Sequence, residues 1–146
     1  MSYSDFKTIE QVVAKLELTV EDIPHLFGDI ESIEPSQRLK ETLDETLDLA
    51  SSISTEKARS ELIITPILLE VRRSFKNKIG YFSGNTFNID ESKSLTAACD
   101  FLLSASSNQS LVTAPVLTIV EAKDNDISIG LGQCVAQMLA AQMLNT

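Results

Sequence analysis

Cysteine, histidine and long apolar runs are all scarce in this sequence. The two cysteines, Cys99 and Cys134, lie far apart in apolar segments, which excludes a close-spaced metal motif and favours buried free thiols over a disulfide. The only histidine, His25, has no evident partner, and we assign it no function. No run reaches the roughly 18 apolar residues of a membrane span, and residues 1–5 lack the basic and apolar blocks of a secretory signal. These absences predict a cytoplasmic protein.

Basic residues are also in short supply. The 146 residues include 12 Lys and Arg against 21 Asp and Glu, a net charge of −9 that argues against an obvious nucleic-acid binder. The excess is local, because residues 1–50 carry a net charge of −8 and residues 51–146 carry −1. The bases of the second part cluster at Arg72, Arg73, Lys76 and Lys78, which suits a solvated helix end as well as a phosphate contact.

The remaining composition is that of a folded globular domain. Hydrophobic residues make up 43% of the chain and charged residues 23%, and the length allows one sizeable core. Apolar spacing of three and four predicts an amphipathic helix over residues 4–17. A capping pattern at Thr19 and Asp22 predicts a short helix to Phe27, and a third helix is expected over residues 36–50. We therefore expect an N-terminal helical segment over residues 1–52.

The pattern changes in the second part of the chain. A helix from Glu56 to Val71 should kink or restart at Pro66. From Gly80 onwards, short β-branched and aromatic runs predict a hairpin over residues 81–89, a strand over residues 99–103 and a buried strand over residues 115–120. A final helix is expected over residues 130–144. The order indicates an α+β fold with some α/β character and a mostly antiparallel three-stranded sheet.

Three charged side chains mark the ends of two of these strands. Asp100 lies in the strand over residues 99–103, and Glu121 and Lys123 follow the strand over residues 115–120. Because side chains alternate along extended chain, Glu121 and Lys123 should emerge on the same face. Two carboxylates and a lysine converging at strand ends can bind a hard divalent cation and a phosphate.

These residues resemble the PD-(D/E)xK motif of restriction-endonuclease-like nucleases. Asp100, a spacer, and Glu121-Ala122-Lys123 match the motif, and the helix–three strands–helix order over residues 53–146 is similar to the family core. The helix containing Glu61 and Pro66 is similar to the opening of the nuclease domain in type I restriction-enzyme motor subunits. Small uncharacterised bacterial proteins with this core also carry a helical preface. Cys99 replaces the motif's proline, and the sequence ends before the family's final strand.

The resemblance implies a Mg²⁺-dependent DNA endonuclease or nuclease subunit, with Mn²⁺ as a substitute metal. Asp100, Glu121 and Glu61 would bind the metal, Lys123 would act on the attacking water, and Gln133 would contact substrate or water. The missing final strand would leave the Glu121 strand as a sheet edge. We expect that edge to be closed by the N-terminal helices, by a homo-oligomer, or by a partner chain or further part of the protein.

Plainer interpretations stand beside each of these assignments. An acid-x-Lys triplet at a strand end is often a surface ion pair. Glu61 can simply stabilise the first turn of its helix, and Glu70 is a rival for the metal-facing role. Gln133 and Gln137 are four residues apart and can be ordinary exposed positions of the last helix. The alternative function is a non-catalytic, self-associating interaction protein on the same scaffold.

Overall fold

Three antiparallel strands lie between two groups of helices in the computed structural model, which describes residues 1–146. The strands are β1 (Gly80–Ser83), β2 (Phe101–Ser104) and β3 (Val116–Val120), and they occur in that order across the sheet. The protein is therefore a mixed α+β protein with the antiparallel three-stranded sheet that the sequence predicted.

Five α-helices accompany the sheet. They are α1 (Ile9–Leu16), α2 (Gln37–Ile53), α3 (Glu56–Arg59), α4 (Thr65–Ser74) and α5 (Ser128–Asn145). Short 3₁₀ turns occupy Tyr3–Asp5 and Glu91–Lys93. No helix combines the length and the apolar character needed to cross a membrane.

The central strand β2 divides the core in two. Its residues are all buried, and their side chains alternate between the faces of the sheet. Leu102 belongs to the larger cluster, which α1, α5 and the N-terminal residues Tyr3 and Phe6 complete. Phe101 and Leu103 belong to a smaller cluster on the other side, formed with Leu68 of α4 and Ile79. The predicted N-terminal segment and the second segment of the chain therefore both contribute to the larger cluster.

The helical stretch from Glu56 to Ser74 contains an irregular turn. Residues Ser60–Ile64 form a π-helical segment, and α4 restarts at Thr65 with Pro66 in its first turn. Proline has no N–H to donate to the carbonyl four residues earlier, which belongs to Leu62. The hydroxyl of Thr46 in α2 donates to that oxygen instead, at 2.7 Å. The predicted restart at Pro66 is confirmed, and α2 supplies the compensating hydrogen bond.

Two predicted elements are wrong. Residues 19–27 contain turns and no helix, because Pro24 disfavours helical geometry before it and the large apolar side chains there are exposed, so no packing stabilises a helix. The hairpin over residues 81–89 has only its first arm. β1 pairs with β2, and the expected second arm makes only an isolated bridge between Thr86 and Ala98.

The two outer edges of the sheet carry side-chain amides that act as substitute strand partners. On β1, the Gln109 side chain accepts from the Tyr81 N–H at 2.8 Å and donates to the Tyr81 carbonyl at 2.6 Å. On β3, the Asn145 side chain does the same for Val116, at 2.7 and 2.9 Å. The N-terminal helix α1 packs on α5, and no strand or helix pairs with the outer side of β3.

Candidate active site

The candidate site lies where β2 begins and β3 ends. Antiparallel pairing places Phe101 opposite Val120, so Asp100 and Glu121, the next residue outward on each strand, become neighbours. The backbone N–H of Ala122 donates to Asp100 Oδ2 at 2.8 Å. The backbone N–H of Asp100 points to Glu121 Oε1 at 3.4 Å. Asp100 and Glu121, the two acids predicted from the sequence, are thus held next to each other at the ends of β2 and β3.

Two glutamines of α5 fasten the carboxylate of Glu121. Gln133 Nε2 donates to Glu121 Oε2 at 2.9 Å, and Gln137 Nε2 donates to Oε1 at 2.6 Å. They reach the same carboxylate because residues four apart lie on one face of a helix. Gln137 is fully buried and Gln133 is partly buried, so neither is an ordinary exposed position. The side-chain carbonyl oxygen of Gln137 has no hydrogen-bond partner.

The position of Glu121 makes its ionised form energetically unfavourable, because the side chain is buried. Only 4% of its side chain is exposed. Burial raises the pKa of Glu121 above its ordinary value, and the neighbouring charge of Asp100 raises it further, while the Gln137 hydrogen bond and Lys123 act in the opposite direction. A carboxyl whose pKa is raised by burial and a like charge is typical of functional sites, and a cation beside it would relieve both causes.

Lys123 lies between two acids. Its Nζ is 3.8 Å from Glu121 Oε2 and 3.8 Å from Glu56 Oε2, and 18% of its side chain is exposed. Its aliphatic part lies against Gly130 of α5, where a Cβ atom would come within 2.8 Å of Lys123 Cε. The absence of a side chain at Gly130 therefore makes room for the lysine.

A cleft opens beside this cluster between the sheet and the helix that precedes it. It has a volume of about 320 Å³, and Asp100 lies on one wall with Glu56 and Glu61 on the other. Glu61, the third predicted metal ligand, is 63% exposed and pairs with Lys57 at 3.9 Å. The fold therefore gathers Asp100, Glu121, Lys123 and Gln133 and leaves Glu61 across the cleft.

Glu56 is the residue that sequence reasoning missed. It is the first residue of α3, directly after the N-cap Thr55, where an acid is expected on helix-dipole grounds alone. Regular helical geometry would put Glu56 and Glu61 on different faces. The π segment begins at Ser60 and includes Glu61, so it changes the helical phase between the two acids, and no sequence pattern predicted it.

Other candidates lie elsewhere. Glu70 accepts hydrogen bonds from the backbone and hydroxyl of Ser36 at 2.7 and 2.8 Å, so it fastens the start of α2 and does not face the site. The basic cluster at residues 72–78 precedes β1, whose far end, Ser83, lines the cleft. These bases therefore lie at the opposite end of the sheet from the two acids.

Both cysteines are free thiols, as predicted. Burial raises the pKa of Cys99 to about 12, and the charges of Glu121 and Asp100 add to the effect. Burial also raises the pKa of Cys134, again with a contribution from Glu121. The thiols are protonated at neutral pH and are poor nucleophiles, so the chemistry of the site belongs to its carboxylates and lysine.

Comparisons with protein-family models, with curated proteins and with solved structures find no match for this chain. The geometry of the site therefore carries the functional argument by itself.

The donor set suits a hard divalent cation, although the acids are few. No group of three or more His, Cys, Asp or Glu side chains lies close enough to hold a metal ion. Asp100 and Glu121 nevertheless provide an all-oxygen pair beside an open cleft, and Mg²⁺ commonly binds one or two carboxylates while keeping several waters. Burial and the neighbouring charge of Asp100 both raise the pKa of Glu121, and a cation bound beside the two carboxylates would favour their ionised forms.

Proposed function

We propose that this protein is a Mg²⁺-dependent nuclease or nuclease subunit that hydrolyses phosphodiester bonds in DNA. The observation that carries the proposal is the meeting of Asp100, Glu121 and Lys123 at one end of the sheet, beside an open cleft. The order of the helical stretch α3–α4, strands β1 to β3 and α5 supports a restriction-endonuclease-like core around that site.

Each residue has a role that follows from its position. Asp100 and Glu121 would hold the metal, and Gln133 and Gln137 orient the Glu121 carboxylate by donating to both of its oxygens. When bound, Mg²⁺, or Mn²⁺ in its place, supplies a water of lowered pKa and a polarised phosphate. Lys123 lies 3.8 Å from Glu121, where its ammonium can orient the attacking water and offset developing negative charge.

The cleft would accept the substrate backbone. Ser60, Thr65 and Ser83 line it together with the acids, so hydroxyl groups are available to phosphate oxygens. Gln133 would lose little by also contacting substrate or water, since one of its amide hydrogens is left after its bond to Glu121.

A second candidate function is a non-catalytic interaction protein on the same scaffold. The observation that favours it is the segment between α1 and α2, in which large apolar side chains are exposed among acids. The exposed residues are Val20, Ile23, Leu26, Phe27, Ile30 and Ile33. Exposed apolar residues in such number are typical of protein-binding surfaces.

Binding of the metal separates the two functions. A nuclease that holds Mg²⁺ through Asp100 should be stabilised by Mg²⁺ or Mn²⁺, by about 2.7 kcal/mol at a metal concentration 100 times the Kd. We expect thermal unfolding to shift upward with metal in the wild type and to be insensitive to metal in Asp100→Ala. Asp48→Ala, which removes an exposed acid of α2, is the matched control and should keep the shift. An equal metal response in all three proteins would contradict metal binding at Asp100.

Cleavage of DNA tests the chemistry itself. We expect the purified chain to cut supercoiled and linear DNA in Mg²⁺ or Mn²⁺, and Lys123→Ala to lower the rate on the order of a hundredfold or more. Lys78→Ala, which removes one exposed charge from the far end of the sheet, should cut at nearly the wild-type rate. If DNA stays intact, or the Lys123 variant cuts as fast as the wild type, this chain alone is not the nuclease.

A further inference from the structure

The candidate cleft has little positive charge with which to hold a nucleic acid. Its lining residues include three acids, Glu56, Glu61 and Asp100, and one base, Lys57. Lys57 is already paired with Glu61 at 3.9 Å. Proteins gain much of their affinity for DNA from Lys and Arg side chains that contact phosphates. A chain that holds DNA in this cleft therefore needs basic contacts beyond it.

A second, smaller cavity beside the cleft offers such contacts. It lies between α2 and α4, has a volume of about 160 Å³, and is lined by Arg38 and Thr42 of α2 and by Thr65 and Arg73 of α4. No acid is among its lining residues. Thr65 also lines the cleft, so the two cavities adjoin at that residue. A water molecule takes about 30 Å³ of liquid volume, so this cavity, here called the arginine pocket, has room for a phosphate group.

The two arginines of the pocket have donors available for an anion. The Arg38 side chain is exposed and makes no ion pair with any acid of the chain. Arg73 donates to Glu70 at 3.3 Å through one nitrogen, and Glu70 also accepts two hydrogen bonds from Ser36. A guanidinium group has five N–H donors, so Arg73 keeps donors for a second anion. Two positive charges against the one negative charge of Glu70 leave the pocket positive.

The arginine pocket lies along α4 from the cleft. Thr65 and Arg73 are eight residues apart on this helix, which is a rise of about 12 Å. Phosphates of one DNA strand follow each other at about 3.4 Å along the duplex axis, so that rise corresponds to about three or four nucleotides. A strand that enters the cleft at Thr65 can therefore place one of its next phosphates between the two arginines.

We propose that Arg38 and Arg73 bind a backbone phosphate of a nucleic-acid strand that continues into the cleft. Guanidinium groups match phosphate oxygens with two parallel hydrogen bonds, which makes arginine the preferred residue for such a contact. A phosphate held here fixes the position of the strand and reads no base, so binding should not depend on DNA sequence. The inference rests on the proposed function for the identity of the ligand, but neither arginine takes part in metal binding or in the reaction.

DNA binding without metal tests the arginine pocket separately from cleavage. We expect the wild type to bind a short fluorescein-labelled DNA duplex in EDTA, measured by fluorescence anisotropy, and Arg38→Ala to weaken binding about tenfold at low salt. The slope of log K against log salt concentration should become shallower by about 0.9, the value for one lost phosphate contact. Arg38→Lys keeps the charge and loses the planar fork, so it should weaken binding less than Arg38→Ala.

Lys40→Ala is the matched control for this series. Lys40 follows Arg38 by two residues on α2, so the two side chains lie on different faces of the helix. It pairs with Glu34 at 3.3 Å and does not line the arginine pocket. The substitution removes one positive charge from the same helix and should leave the affinity and the salt slope close to those of the wild type. Circular dichroism of each variant checks that the fold is retained.

Three results would overturn the inference. One is an Arg38→Ala protein that binds as tightly as the wild type, and another is an equal loss of affinity in Arg38→Ala and Lys40→Ala. The third is a wild type that binds no duplex; if inorganic phosphate then raises its thermal unfolding temperature but not that of Arg38→Ala, the pocket belongs to a small phosphorylated ligand. A duplex that binds through Arg38 and is never cut in Mg²⁺ supports the phosphate site and contradicts only the proposed nuclease activity.

Discussion

Glu121→Gln is expected to make the protein more stable at neutral pH while abolishing the proposed DNA cleavage. The carboxylate is almost fully buried, and burial is the largest cause of its raised pKa, so the folded state is less stable for carrying the charge. Glutamine has nearly the same shape and no charge. Its amide group can be accommodated because the carbonyl oxygen of Gln137 has no partner and can accept from it after the Gln137 amide turns over.

The pH dependence provides the sharper measurement. A carboxyl whose folded-state pKa is raised binds more protons in the folded than in the unfolded protein between its ordinary pKa and the raised value. The wild type therefore loses stability as pH rises through that window, and the full cost is present above it. We expect the difference in unfolding free energy between Glu121→Gln and the wild type to grow as the pH rises above the ordinary glutamate pKa and to close as the pH falls towards it.

Glu45→Gln is the control for this series, because Glu45 is exposed on α2 and undergoes the same chemical change. It should leave both the stability profile and cleavage close to those of the wild type. A Glu121→Gln protein that is less stable than the wild type at every pH would show that the Lys123 and glutamine contacts outweigh the burial cost, and would remove the electrostatic argument for a cation at this site. A gain in stability with a loss of activity is the combination typical of a functional residue.

The second large effect is expected at Gly132, where α5 meets the N-terminal residues. A Cβ atom there would lie 2.6 Å from the carbonyl oxygen of Thr8 and 2.7 Å from that of Phe6. Both obstacles are backbone, and Phe6 is part of the larger core cluster, so neither can move aside cheaply. Gly132→Ala should therefore lower the unfolding free energy by about 1–3 kcal/mol in a urea titration, although alanine by itself favours a helix.

Gly130→Ala is the natural partner for this experiment, two residues earlier in the same helix. Its Cβ would meet only the flexible side chain of Lys123. We expect stability to be kept, or to rise by up to about 1 kcal/mol from helix propensity, while the displaced Lys123 lowers the rate of the proposed cleavage. The structure places rigid backbone atoms beside Gly132 and a flexible side chain beside Gly130. Equal destabilisation by the two substitutions would contradict the expectation that only the backbone contacts are costly.

The features that the sequence predicted correctly are those fixed by local pattern. Strand ends and antiparallel order bring Asp100, Glu121 and Lys123 together, because strand pairing converts sequence position into spatial position. The four-residue spacing places Gln133 and Gln137 on one face of α5, and the packing of α5 on β3 brings that face to Glu121. The start of α2 agrees with the helix predicted over residues 36–50, and Ser36 is its N-cap in the structure. The restriction-endonuclease-like resemblance and the metal-binding role of Glu61 stay predictions.

The features that were missed depend on contacts between distant residues. The predicted helix over residues 19–27 had a plausible cap, but its apolar residues found nothing to pack against. The second arm of the predicted hairpin does not form, because β2, which lies far along the chain, pairs with β1 instead. The amides of Gln109 and Asn145 cap strand edges that a sequence pattern does not identify. In each case the presence or absence of a long-range partner decided between local alternatives.

The π-helical turn at Ser60–Ile64 has a consequence for how this site tolerates insertions and deletions. Such a turn accommodates one residue more than a regular helix of the same rise would hold. Deleting one residue there would let the helix become regular and rotate everything before it by about 100° relative to α4. Leu68 would stay in the core, while Glu56, which precedes the turn, would rotate away from the cleft. The number of residues in this turn, more than their identity, thus determines whether Glu56 faces Lys123 and Asp100 across the cleft.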